Sequence, residues 1–238
     1  MRSGIADSAD EELLKYYYDH PLVDFPAEAS IKRAASKADQ FEAPDQKTKY
    51  TNVNYNILEV IIEKVTGRDI SAQITRSILK PLGMRNSLYP IDRHLPGKLR
   101  GYGWNAQTGE FEDKTRLNPS LPGGAGAMIS NLRDLKIYTK ALCAGGLLKP
   151  ETQAARLETM PLEGLPEWIG YGEGVGKISK FCGHNGTIMG FSSEMWYLPE
   201  KDAVIVINVN RLDADDQTQS SNLFFAIAKI LFPEYVNW

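Results

Sequence analysis

Cysteine, histidine and net charge are all scarce in this chain, and each scarcity excludes something. Cys143 and Cys182 are the only cysteines among 238 residues. They are too few for a disulfide framework and read as two reduced, mostly buried thiols, with a single bridge left open. The three histidines, His20, His94 and His184, are too dispersed to suggest a metal cluster, so no metal or other cofactor is expected. A formal net charge of −3, with Lys and Arg scattered apart from Lys47-Thr48-Lys49, provides no basic field for nucleic acid. No apolar run approaches the ~20 residues that a membrane span needs. Met1-Arg2-Ser3-Gly4 reads neither as a signal peptide nor as a helix opening, which leaves the compartment open.

What is present is ordinary for a globular protein: 42% hydrophobic and 24% charged residues, enough for one domain or two intimate subdomains. Ser8-Ala9-Asp10-Glu11 has capping-box spacing and predicts a helix from about Ala9 to Tyr18. Ser30 to Lys37 fits a turn or two of helix. Asn54 to Thr66 has a clear helical period, with Ile57, Ile61 and Val65 in one row, Leu58 and Ile62 in the next, and Gly67 as C-terminal cap. Asp69 caps a following helix that Pro81 should stop. Residues 82–122 look like a long excursion with a small hairpin around Gly101 to Gly109. Ser130 or Asn131 caps a helix to about Cys143 that buries Leu135, Tyr138 and Leu142; Pro150 opens another. Lys177 to Cys182, Ile188 to Tyr197 and Ala203 to Val209 read as extended. A last helix, about Gln217 to Leu231, buries Leu223, Phe224, Ile227 and Leu231.

This order predicts an α+β fold: one domain, mainly helical with loops to about residue 165, then antiparallel strands and a closing helix over about 166–238. Only about three strands are legible. A sheet that small, with an apolar central run, needs cover on both faces and protection at its edges.

Two short segments hold residue types suited to chemistry. In Tyr50-Thr51-Asn52, ahead of a helix, a phenol and an amide two residues apart project to one side; the phenol can move a proton and the amide can orient a substrate. The plainer reading is a core tyrosine and an asparagine cap. In Gly183-His184-Asn185-Gly186-Thr187, glycines permit close backbone approach, and an imidazole can donate to a reacting group near neutral pH. The plainer reading is a satisfied structural histidine. Cys182 shares a strand face with His184, but a buried small hydrophobe fits it better than a thiol nucleophile.

Taken together and in order, these segments resemble the class C β-lactamase and D-alanyl-D-alanine carboxypeptidase family of serine hydrolases. Ser3-Gly4-Ile5, Pro44 through Tyr55, Ile61 through Gly67, Pro81-Leu82-Gly83-Met84, Gly123-Gly124 through Asp134-Leu135, Gly145 through Leu148, and His184-Asn185-Gly186 through Ser192 all match family markers. The resemblance implies a transpeptidase-like fold in which Tyr50 is the general base, Asn52 orients the acyl-side amide and His184 supports the proton network. It makes Asn185 and Gly186 substrate-binding and the Thr187 N–H an oxyanion-hole donor. It also implies a small acyl or peptide substrate and no cofactor.

Two departures stand out. No serine ahead of Tyr50 has a lysine three residues on, so the family's Ser-x-x-Lys nucleophile has no position here. Ser77-Ile78-Leu79-Lys80 matches the letters but follows Tyr50, at a helix end. The expectation is therefore a fold lacking its N-terminal strands and nucleophile-bearing helix. The gap would be covered by a second chain, a swapped segment or rearranged helices from the first 45 residues. Either such a chain is feeble as an enzyme, or it is a non-catalytic binding module. The second departure is Asn185, where the family has threonine or serine to bind a carboxylate. This leaves ester- and amide-cleaving chemistry open.

Overall fold

Short polar side chains and glycines set the helix ends in the first part of the chain. The computed structural model describes residues 1–92, 97, 99–106, 108–213 and 218–238. His94, and Gln217 at the expected start of the last helix, lie outside them. There are two compact units, Met1–Gly97 with Arg116–Ser130 and Lys98–Thr115 with Asn131–Trp238.

In the first unit, α1 spans Glu11–Asp19 and is capped by Asp10, which accepts from the Leu13 N–H at 2.9 Å. The expected cap, Ser8, is buried instead. Asp10 prevails because it also meets Lys37 at 2.9 Å and Arg33 at 2.8 Å. Hydrogen bonds from Lys37, the Leu13 backbone and Arg33 hold its carboxyl far below the usual range. Helix α2 spans Ala27–Ala35. Helix α3, Val53–Thr66, ends on Gly67 at φ 64°, and α4, Ile70–Ile74, is capped by Asp69. Pro81 does not stop that helix. A π-helical turn over Thr75–Leu79, with the Lys80 N–H reaching back to Thr75 O, leads into α5, Lys80–Leu82. The widened turn accommodates the proline ring, and Gly83 ends the helix at φ 67°.

The apolar rows of α3 are only partly used. Ile62 packs beside Ile70, Tyr89 and Ala127, whereas Leu58, Ile61 and Val65 are exposed. Polar contacts orient the helix instead. Glu59 accepts from the Gly124 N–H at 2.6 Å and from the Tyr89 hydroxyl at 2.9 Å. The 3₁₀ turn Gly123–Ala125 runs so close that a Cβ on Gly124 would lie 2.5 Å from Tyr55 O.

In the second unit, β1 (Tyr102–Asn105) and β2 (Glu110–Asp113) form the expected hairpin. Asn131, not Ser130, caps α6, Leu132–Ala144, and Pro150 opens α7, Pro150–Leu157. Six antiparallel strands follow in sequence order, not three: β3 (Met160–Pro161), β4 (Ile169–Tyr171), β5 (Gly176–Ile178), β6 (Phe181–Ile188), β7 (Phe191–Leu198) and β8 (Ala203–Val209). The extra strands are two or three residues long, too short to show a period. The stretch expected as one strand, Lys177 to Cys182, is broken by a turn at Ser179-Lys180. Strand β9, Arg211–Leu212, pairs parallel with β1, and α8 spans Gln219–Leu231.

Both faces of the larger sheet are covered. Phe181, Trp196 and Leu198 pack against Phe224 and Ala228 of α8. Tyr197, Cys182, Met195 and Val204 pack with Leu142 and Cys143 of α6. Leu223 and Leu231, expected inside, are exposed on α8. Buried Glu194 of β7 ties down the first turn of α8: it accepts from Ser221 Oγ at 2.5 Å and Ser220 Oγ at 3.2 Å, and from Trp196 Nε1 at 2.5 Å. Burial raises its pKa. No helix among the described residues is long and apolar enough to cross a membrane.

The cysteines are not reduced thiols. Cys143 and Cys182 are disulfide-bonded, joining the end of α6 to β6 across a sequence separation of 39. A loop of that length corresponds to roughly 4 kcal/mol on the chain-entropy view. Chemical denaturation with and without dithiothreitol should show a loss of about that size on reduction. Equal unfolding midpoints would contradict it.

Candidate active site

Tyr50 and Asn52 belong to the first unit, where they precede α3. Thr51 between them is buried, its hydroxyl donating to Ala6 O at 3.4 Å, while Tyr50 is 37% exposed. Asn52 is not extended: at φ −66° and ψ −33° it takes the N-cap position without a side-chain cap bond. Its Nδ2 donates to Asp7 Oδ2 at 2.8 Å, and its backbone N–H reaches the same oxygen at 3.2 Å. The amide is thus aimed by a carboxylate, and Asp7 carried no local sequence signal. The Ser77–Lys80 match runs from the π-helical turn into the start of α5; Ser77 accepts from Gln73 at 2.8 Å, and both Ser77 and Lys80 are exposed.

His184, Asn185, Gly186 and Thr187 lie within β6 of the second unit, opposite Met195, Glu194, Ser193 and Ser192 of β7. Two hairpins fix the direction of each backbone group. Ile178 and Phe181 close a two-residue loop, so the Phe181 N–H and C=O point toward β5; Ile188 and Phe191 close another, so those of Ile188 point toward β7. Alternation then aims the backbone groups of Gly183, Asn185 and Thr187 at the β5 side. Yet β5 pairs only as far as Gly183. Beyond it, among the described residues, no strand pairs with that side, and Asn185, Gly186 and Thr187 are exposed. The Thr187 N–H therefore faces an open edge, where it can stabilise a developing oxyanion. A Cβ on Gly183 would lie 1.9 Å from Met195 O, so only glycine lets β6 and β7 meet there.

His184 is held at both nitrogens. Nε2 is 2.8 Å from Tyr171 Oη, and Nδ1 is 2.5 Å from Asn185 O. The Tyr171 and His184 rings meet edge to face at 5.5 Å. Tyr171 lies in a three-residue strand between glycines and gave no sequence signal. No group of three or more His, Cys, Asp or Glu among the described residues is placed to hold a metal ion.

Desolvation lowers the His184 pKa below its ordinary 6.5, with the Asn185 carbonyl opposing. A lowered histidine pKa means that the unfolded chain binds the proton first. The stability His184 contributes is complete above pH 6.5 and is lost as pH falls from there through the folded pKa. NMR titration should give a His184 midpoint below 6.5, and His184→Asn should remove this share of the acid loss. An unshifted or raised midpoint would contradict the burial.

Comparison with known proteins supplies the context. The Beta-lactamase family profile matches residues 1–226. An unguisins hydrolase from Aspergillus campestris is 25% identical over 206 residues, covering 81% of this chain and 39% of the relative. A D-aminopeptidase from Cereibacter sphaeroides is 27% identical over 190 residues, 77% of this chain and 36% of the relative. The chain thus spans less than two fifths of the length of these curated relatives. A D-stereospecific amidohydrolase from Streptomyces sp. superposes with a TM-score of 0.86 at 25% identity, covering 98% of this chain and 70% of that one. The α+β architecture agrees with the expectation from the sequence, and the chain belongs to the β-lactamase family.

Proposed function

We propose that this chain carries substrate-facing residues of a β-lactamase-family serine hydrolase whose ligand is a small amide or peptide of a D-amino acid. The observation that carries the reading is the open edge of β6. There an anchored imidazole and an exposed backbone N–H stand three residues apart, and acyl transfer needs a donor where negative charge develops on the carbonyl oxygen. In this reading Tyr50 takes the nucleophile's proton and returns it to the leaving group. Asn52, aimed by Asp7, orients the acyl-side amide. Thr187 receives the oxyanion, and Gly186 leaves room beside the strand, since a Cβ there would meet nothing within 4 Å.

The ligand class is supported by the names of the D-aminopeptidase and the D-stereospecific amidohydrolase. Asn185 supports it independently. A side-chain amide carries both a donor and an acceptor, so it can pair reciprocally with a neutral carboxamide, whereas a carboxylate only accepts. No serine ahead of Tyr50 has a lysine three residues on, which favours binding without turnover by this chain alone.

Two measurements test this. Incubation with a fluorescent penicillin should leave the chain unlabelled; stoichiometric labelling, located by mass spectrometry, would overturn the absence of turnover. Titration with D-phenylalanine amide should shift the Asn185 and Thr187 amide resonances saturably and in preference to the L-enantiomer. Asn52→Ala and Asn185→Ala should each weaken binding by about three- to tenfold. An absent or stereochemically indifferent response would overturn the ligand assignment.

A further inference from the structure

We infer that Tyr171 is a positioning residue for His184, fixing the imidazole as its Nδ1–H tautomer and, through it, the Asn185 carbonyl on the open edge of β6. The inference rests on the reading of His184 as part of the site. It begins with an acceptor that cannot donate. Asn185 O lies 2.5 Å from Nδ1, so Nδ1 must bear the proton. A neutral ring has only one N–H, and Nε2 is then a lone pair that accepts from the Tyr171 hydroxyl at 2.8 Å. The opposite tautomer would turn two lone pairs toward each other across 2.5 Å. The doubly protonated ring would satisfy both contacts, but desolvation disfavours it.

The phenol is placed to do this. Tyr171 pairs with Gly176, which pairs with Gly183, the residue before His184. It is 4% exposed, and the rings meet at an interplanar angle of 88°. The next residue, Gly172, passes so close to α7 that a Cβ there would lie 2.2 Å from Arg156 O. The segment bearing the phenol is therefore fixed against its neighbours.

A strut results, running from the Tyr171 hydroxyl through both nitrogens of His184 to the Asn185 carbonyl. With Nε2 engaged as an acceptor, His184 does not hand a proton from that nitrogen to a ligand. Its work is to hold the Asn185–Gly186 peptide, and with it the direction of the Thr187 N–H. Tyr171 touches no substrate; it acts through His184.

Long-range ¹H–¹⁵N correlation on the ligand-free chain reads the tautomer directly. In the parent, His184 Nδ1 should be protonated and Nε2 bare; a protonated Nε2 near pH 7.5 would overturn the inference. In Tyr171→Phe the Nδ1–H to Nε2–H ratio should fall by about five- to tenfold. A folded variant with the parent's ratio would overturn it equally. Should that variant not fold, replacing the tyrosines with 3,5-difluorotyrosine keeps the ring and strengthens the hydroxyl as a donor. The His184 Nε2 resonance should then move, and an unmoved resonance counts against the contact. Because the readout needs no ligand, its failure is distinct from a failure of D-phenylalanine amide to bind.

Discussion

The facing of the peptides along β6 is the constraint on which the candidate site depends. Two tight hairpins, one at each end of the strand, impose the same parity on it. A slip of one residue would turn Thr187 N–H toward β7 and send the His184 side chain to the opposite face. Several features resist that slip. Gly183 admits the Met195 carbonyl where a side chain would collide. The disulfide at Cys182 fixes the same strand to α6. Phe181, the first residue of β6, is fully buried under α8. The open edge is thus held rigidly although nothing pairs with it among the described residues.

Polar groups, as much as apolar area, determine how the helices sit. Glu194 accepts three hydrogen bonds beneath α8, and Glu59 accepts two between α3 and its neighbours. Burial raises both pKa values, because each carboxylate gives up water. The donors offset part of that cost. Removing the donors while leaving the carboxylates would be worse than losing the whole contact. This explains why α3 leaves Leu58, Ile61 and Val65 outside while an asparagine and a glutamate face its neighbours.

What was legible in the sequence was local. Gly67, Asp69, Asn131 and Pro150 mark helix ends because capping chemistry acts within a few residues, and Ala203 to Val209 reads as a strand because its apolar run is continuous. The order of family markers also singled out Tyr50, Asn52 and the His184 segment as candidates. What was not legible was set by partners distant in sequence. Asp10 displaced Ser8 as a cap through cations 23 and 27 residues away. Cys143 found Cys182 across a helix and three strands. Tyr171 and Asp7 complete the surroundings of His184 and Asn52, yet neither shows a period or motif linking it to its partner.

Family membership supplies the fold, and the residues supply the proposal that phenol and imidazole serve one acyl ligand. An isotope-filtered NOE experiment on D-phenylalanine amide bound to this chain tests that most directly. Contacts from the ligand to the ring protons of both Tyr50 and His184 are expected. Contacts to one ring alone, or to neither, would contradict a shared role.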